Sequence, residues 1–287
     1  MRRARVLLAA LAALVVSAVV ACNQGSFGMP GTGESAPPPG EDGSLFREDF
    51  ESGTLAAWQD GVDPSRQRIV TDPKSAQSGS RYLAVTYPAG SDGGWLTRFA
   101  MPGYDSLYVS LYVRFPANWQ GGTKIVGMYG SRTDNQWSGF GKAGLCPNGN
   151  DFFAAMLVTE PGGNPGPTRF YTYYPAMARE PDGVTCWGRY GTNSNPAASY
   201  ASSLTLSRDV WHRVEFWVQL NTPGQADSRE AFWVDGVQWG SWVGLSLRDS
   251  AILRLNAVQL TFSVSGGVAR TQELHVDNVV VRRAPPP

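Results

Sequence analysis

From residue 45 onward the chain alternates short runs of Val, Tyr, Phe, Trp and Thr with clusters of Gly, Pro, Asn and Asp. In "SLYVSLYVRF" (106–115), Leu107, Val109, Leu111 and Val113 fall on one side of an extended chain. Tyr108, Ser110, Tyr112 and Arg114 fall on the other. Successive strand residues point to opposite faces, so this period of two predicts a strand with one face buried. "WHRVEFWVQL" (211–220), "AFWVDGVQWGSWV" (231–243), "AVQLTFSVS" (257–265) and "ELHVDNVVV" (273–281) read the same way. Within 231–243, Asp235-Gly236 is a two-residue hairpin signal, since these residue types tolerate the positive φ such a turn needs. No long segment carries a helical stripe. Many strands without βα alternation predict an all-β domain, a sandwich or jelly roll of antiparallel sheets.

The first residues depart from this pattern. "MRRARVLLAALAALVVSAVVAC" has a basic start, an apolar run over 6–16 and small residues before Cys22. Together these predict a secretory signal over 1–21, with a retained signal anchor as the alternative. The ending Val19-Val20-Ala21-Cys22 resembles a bacterial lipobox. That resemblance implies lipidation of Cys22 and an exported protein held in the cell envelope, at the outer membrane or cell surface. Residues 22–44 are rich in Gly, Pro and Ser, too polar to offset their ordering entropy, and read as a tether. The β domain is expected over 45–283, with 284–287 as a frayed tail.

Charge changes the picture little. The chain has 24 basic and 24 acidic residues. Removing Arg2, Arg3 and Arg5 with the signal leaves a mature chain slightly acidic. No basic stripe is present, which argues against nucleic acid as a partner. Nothing points to a protein partner, and a monomer is expected. Apart from Cys22, Cys146 and Cys186 form an even pair in loop-like sequence, most simply one disulfide in an oxidising compartment. A zinc site would need more ligands than two Cys and two distant His.

The domain opens with "FREDFESGTLAAW" (46–58) and "AQSGSRYLAV" (76–85) and closes with "HVDNVVV" (275–281). This combination resembles the concanavalin-like jelly rolls of polysaccharide-active proteins. The resemblance implies a structural calcium pinning the chain ends, held by Glu51 and Asp277 and by the backbone carbonyls of Ser78 and Arg81. Hard oxygen ligands from separate segments suit that ion. The plain alternative is edge polarity beside a turn.

"VRFPANWQGGTKIVGMYGS" (113–131), "RFYTYYPAM" (169–177) and "CWGRYG" (186–191) resemble stretches of the family-fourteen polysaccharide lyases, which cleave alginate and related uronic-acid chains. "WHRVEFWVQLNTPGQADSREAFWVDGV" (211–237) resembles that family's closing strands, so the likeness spans most of 46–283. The reaction is β-elimination: a base removes the C5 proton of a uronate while its carboxylate is neutralised and the leaving oxygen is protonated. The resemblance puts Lys124 at the catalytic lysine position and Tyr171 and Tyr173, two apart on one strand face, at the tyrosine pair. The family's strand between them usually carries a serine and an arginine. Here "DFFAAMLV" (151–158) sets Phe152 and Ala154 at those positions, and neither binds a carboxylate. Arg132, Arg169 and Arg189 are the candidate replacements from loops.

Each residue also has a plain reading. Lys124 can be a solvated strand-end cation, and Tyr171 and Tyr173 strand packing. His212 and His275 read as structural rather than as general bases. Of ten tryptophans, Trp137 and Trp187 lie in Gly/Asn-rich loops and are the candidates for stacking on sugar rings, whereas Trp211, Trp217 and Trp233 read as core. Two functions follow: a surface lyase acting on an acidic polysaccharide, or a glycan-binding lipoprotein that has lost catalysis. A structural envelope protein is a third.

Overall fold

The computed structural model describes residues 43–188, 198–200 and 204–286. The signal, most of the tether, Cys22 and Arg189 lie outside these residues. Fourteen strands occur among the described residues. In chain order they are β1 (Ser44–Glu48), β2 (Gln67–Thr71), β3 (Arg81–Tyr87), β4 (Trp95–Tyr104), β5 (Ser106–Arg114), β6 (Thr123–Arg132) and β7 (Phe153–Thr159). They continue as β8 (Thr168–Tyr173), β9 (Ala198–Tyr200), β10 (Trp211–Gln219), β11 (Ser228–Val234), β12 (Val237–Leu245), β13 (Leu253–Thr261) and β14 (Gln272–Arg282). No described residue is helical.

The strands form two antiparallel sheets. One runs β2-β3-β14-β5-β10-β11-β12-β9, with β1 also paired to β14. The other runs β4-β13-β6-β7-β8. The chain repeatedly leaves one sheet for the other, the connectivity of a jelly roll.

The alternation in β5 carries through to packing. Leu107, Val109, Leu111 and Val113 are all fully buried and face the core. Val214, Phe216 and Val218 of β10 extend that surface, and Val126, Met128, Leu157, Phe170, Val258 and Leu260 complete it from the five-stranded sheet. Burying such side chains stabilises by about 1.5–3 kcal/mol each before entropy is counted. The hairpin joining β11 to β12 turns at Asp235 and Gly236, with φ of 51° and 79°.

Three tryptophans expected in the core lie elsewhere. Trp211 and Trp217 of β10, and Trp233 of β11, are half-buried on the outer face of the nine-stranded sheet. Alternation shows that Trp217 and Phe216 face opposite ways, but both are apolar, and the pattern does not say which one meets the second sheet. The fully buried tryptophans are Trp119 and Trp242.

Candidate active site

The hairpin of β7 and β8 pairs Ala154 with Tyr173, Met156 with Tyr171 and Val158 with Arg169. Phe170 turns inward, its ring 5.2 Å from that of Phe232 in the opposite sheet. Arg169, Tyr171 and Tyr173 therefore share the outer face of the five-stranded sheet. On β6, Lys124 is paired with Val158, and the register slips between Lys124 and Val126. This bulge keeps Ile125 and Val126 buried while presenting Lys124 on the outer face. Lys124 Nζ lies 5.4 Å from the centroid of the Tyr171 ring. The Tyr171 and Tyr173 rings are 5.8 Å apart, edge to face. The lysine and both tyrosines named from sequence are thus one cluster, across three adjacent strands.

Its electrostatics follow from burial. Lys124 is pushed below the ordinary lysine value by desolvation, with Asp92 opposing part of that shift. Tyr171 is half-buried, and Tyr173 is 5% exposed. The strand face opposite the tyrosines is apolar. Ala154 faces Tyr173 and Met156 faces Tyr171. Phe152 lies just before β7, its ring 6.3 Å from Tyr173 and capped by Lys142 Nζ at 5.6 Å.

The arginines named as replacements divide. Arg169 is on the same face and gives Nε to Glu160 Oε2 at 2.8 Å. Arg132 is at the far end of β6 and clamps Asp134 through two hydrogen bonds of 2.8 and 2.7 Å. Eight residues of strand, about 27 Å, separate it from Lys124.

Two loops close over this end of the sheet. Cys146 and Cys186 form the expected disulfide, with Cα atoms 5.0 Å apart. Cys186 also donates its N–H to the Gly144 carbonyl. Gly188 packs against Tyr171 so closely that a Cβ there would lie 2.3 Å from the ring, so only glycine fits. Trp187, 46% exposed, stands beside Gly144. Trp137 is 36% exposed and lies farther along the same face, its ring 4.8 Å from Phe99. Phe140 next to it stacks on Tyr129 at 4.7 Å.

The sequence reading missed the polar row beside the lysine. Tyr129 of β6 donates its hydroxyl to Gln259 Oε1 at 3.0 Å, and Thr261 donates to the same oxygen at 3.0 Å. Gln259 Nε2 reaches Thr97 Oγ1 at 2.9 Å. Burial holds Tyr129 protonated, pushed up to about 12. The usable signal was Gln259 and Thr261 alternating with Leu260 in an apolar strand, which marks a polar face.

Beneath β8, Thr172 gives its hydroxyl to Glu230 Oε2 at 2.9 Å. Glu230 is fully buried between the sheets, its other oxygen has no partner among the described residues, and desolvation pushes it up to about 8.

The chain-end residues converge separately. Glu51 accepts the N–H groups of Ser80 and Arg81 at 2.8 and 2.7 Å. Asp277 accepts those of Gln77 and Ser78 at 3.0 and 3.4 Å. Burial, with a smaller effect from Glu51, pushes Asp277 up to about 6. Two carboxylates drawn to one turn fit a hard cation if the Ser78 and Arg81 carbonyls complete the shell. No cluster of three or more acidic, His or Cys ligands occurs among the described residues. The histidines stand apart from the lysine, on the nine-stranded sheet. His212 accepts the Ser207 N–H and contacts Asp235 at 2.7 Å, and His275 accepts from Arg114 at 3.0 Å.

A model of the family described as polysaccharide lyase 14 matches residues 75–271. The structure is similar to alginate lyase vAL-1 from Chlorella virus at 16% identity and a TM-score of 0.61, covering 84% of this chain and 100% of that one. It is similar to the alginate lyase from Aplysia kurodai at 19% and 0.55, covering 75% and 87%. The endo-beta-1,4-glucuronan lyase from the fungus Trichoderma reesei gives 14% and 0.52, covering 84% and 96%. At these identities the likeness is one of fold. Comparison with curated proteins gave no match.

Proposed function

The chain belongs to the polysaccharide lyase 14 family, and from that premise we propose that it cleaves a uronate-containing polysaccharide by β-elimination, with Lys124, Tyr171 and Tyr173 as its catalytic residues. The observation that carries this reading is the meeting of an ammonium group and two phenols on one sheet face, from positions 47 residues apart in sequence.

In this mechanism Lys124 binds the uronate carboxylate and offsets the charge that builds as the C5–H bond breaks. A cation in a desolvated setting is effective there because little water screens it. Tyr171, as phenolate under the lysine, takes the C5 proton. The C4–O bond then breaks, Tyr173 protonates the departing oxygen, and a C4=C5 double bond remains. Proton exchange between the two phenols restores the starting state. Trp137, Trp187 and Arg169 line the approach, and Arg132 lies too far from the lysine to replace the missing arginine. Glu51 and Asp277, with the Ser78 and Arg81 carbonyls, would hold a calcium ion whose role is to pin the chain ends. The lipobox-like sequence at Cys22 supports an exported enzyme anchored in the bacterial envelope.

A second reading, a glycan-binding protein without catalysis, is favoured by the apolar Ala154 and Met156 opposite the tyrosines. The two are separated by incubating the full chain with alginate, glucuronan and mixed uronate glycans while following absorbance of the unsaturated product. Product that disappears in Lys124→Ala and Tyr171→Phe supports the lyase. Retardation in a glycan gel with no product supports the binding protein.

A further inference from the structure

Trp95, at the other edge of the same sheet face, was not singled out from the sequence. It opens β4 and is 45% exposed, among the most exposed tryptophans of the described chain. It pairs with Thr261 of β13. β13 in turn runs beside β6, where the Lys124 N–H bonds the Ser263 carbonyl. Two strand spacings with a two-residue offset along β13, about 12 Å in all, therefore separate the backbones at Trp95 and Lys124, a distance on the order of two sugar rings along an extended glycan.

The indole is held rigidly. Its Nε1 donates to Asp60 Oδ2 at 2.8 Å, and Gly61, at φ +84°, packs so close that a Cβ would lie 2.2 Å from the ring. With its N–H spent and its pyrrole edge covered by Gly61, what the ring offers a ligand is apolar surface. Asp60 is fixed by the chain itself, its carbonyl accepting the Thr97 N–H at 2.9 Å. Its Oδ2 takes the indole and, at 3.5 Å, the Thr97 hydroxyl. Oδ1 takes no hydrogen bond among the described residues. A flat apolar face beside a preoriented carboxylate acceptor is suited to a sugar ring that stacks and donates hydroxyls.

The charge pattern adds a constraint. Among the described residues, Lys124, Lys142 over Phe152, and Arg169, which Glu160 already engages, lie toward the tyrosine end, while Arg254 of β13 is drawn to Asp105 at 3.8 Å. The opposite end carries the negative Asp60. Asp60 makes no ion pair among the described residues, the nearby Arg66 being engaged by Asp92 at 3.0 Å, so a glycan with a carboxylate on every ring would set a negative charge against Asp60 without a paired cation.

We infer that Trp95 and Asp60 form a subsite for a neutral sugar, so that the preferred substrate is a heteropolysaccharide in which the uronate held at Lys124 is separated from its neighbours by uncharged rings. This rests on the lyase reading for the uronate at Lys124, and it names the substrate class that the reading leaves open.

The test uses the full chain and two kinds of polymer, homopolymeric alginate and glucuronan against uncharged-spaced uronate glycans such as xanthan-type and gellan-type chains. Affinity electrophoresis reports binding, and absorbance of the unsaturated product reports cleavage. The expected result is retardation by a spaced glycan at least about tenfold stronger than by alginate at low salt. Trp95→Ala should weaken that retardation about tenfold, while Trp95→Phe retains most of it. Asp60→Asn, which keeps an oxygen for the indole, should weaken spaced-glycan binding and strengthen alginate binding, narrowing the preference. Equal or tighter binding of the homopolymers, or an Asp60→Asn chain with an unchanged preference, overturns the subsite. Selective retardation without product removes the lyase reading and leaves the subsite standing. Cleavage of alginate faster than any spaced glycan does the reverse, and retardation by no polymer removes both.

Discussion

The outer faces of the two sheets carry similar residues and use them differently. On the nine-stranded sheet, Arg213 reaches Glu215 at 3.0 Å, Tyr108 at 3.3 Å and Ser110 at 3.3 Å. Arg68 pairs with Glu273 at 2.9 Å, and Arg114 spends its N–H groups on His275 between the rings of Tyr82 and Trp211. Charge and aromatic surface there satisfy one another. On the five-stranded sheet the Lys124 ammonium rests over Tyr171 and, among the described residues, makes no hydrogen bond or ion pair, and Asp60 Oδ1 takes no hydrogen bond from them. The lesson is that composition does not distinguish a site from a surface. Unspent polar capacity on a rigid support does.

The largest way to break this contrast is Lys124→Ala. It should lower kcat/KM by about a thousandfold or more with the melting temperature held within a few degrees, measured by product absorbance and calorimetry. A comparable loss from Arg213→Ala would mean the faces had been assigned the wrong way round. Next in size is the staple over Tyr171. Cys146→Ser with Cys186→Ser opens a loop of 40 residues, and urea unfolding should show a loss of about 3–4 kcal/mol on the chain-entropy account. A loss under about 1 kcal/mol would show that the loops are held by packing alone.

Glu230 sharpens the comparison from inside, because it sits between the faces and bonds to the strand that bears the tyrosines. Its folded value, about 8, lies above its unfolded one. Between about pH 4.5 and 8 the native state then holds the proton that the unfolded state has lost, so stability declines with rising pH across that window. Below the window the contribution is fully present. Glu230→Gln should flatten the slope in a pH series of denaturation midpoints, and an unchanged slope would place its origin elsewhere. The smallest effect on turnover is expected of Arg213→Ala, within about twofold, with a stability loss of about 1–3 kcal/mol because its part-buried pairings with Glu215 and Tyr108 are lost.

Lys124, Tyr171 and Tyr173 were legible because their strands lie in short motifs, and the two-residue spacing of the tyrosines survives any register. Phe152 was harder. The hairpin register puts Ala154 and Met156, not Phe152, opposite the tyrosines, and register depends on where the connecting loop turns. Nothing in the sequence set Trp95 apart from the other tryptophans. Its setting comes from its place at the start of the edge strand β4 and from Asp60, 35 residues away, which bridges to Thr97 and holds the indole.

By itself the sequence determined the all-β class, the hairpin at Asp235-Gly236 and the cysteine pair, since backbone propensity, side-chain alternation and thiol count act locally or by elimination. Tertiary structure alone decided which of two apolar strand faces met the other sheet, which arginine came near the lysine, and which tryptophan reached solvent. Alternation defines two faces for every strand, but only pairing between distant segments, and the water each pairing excludes, chooses between them.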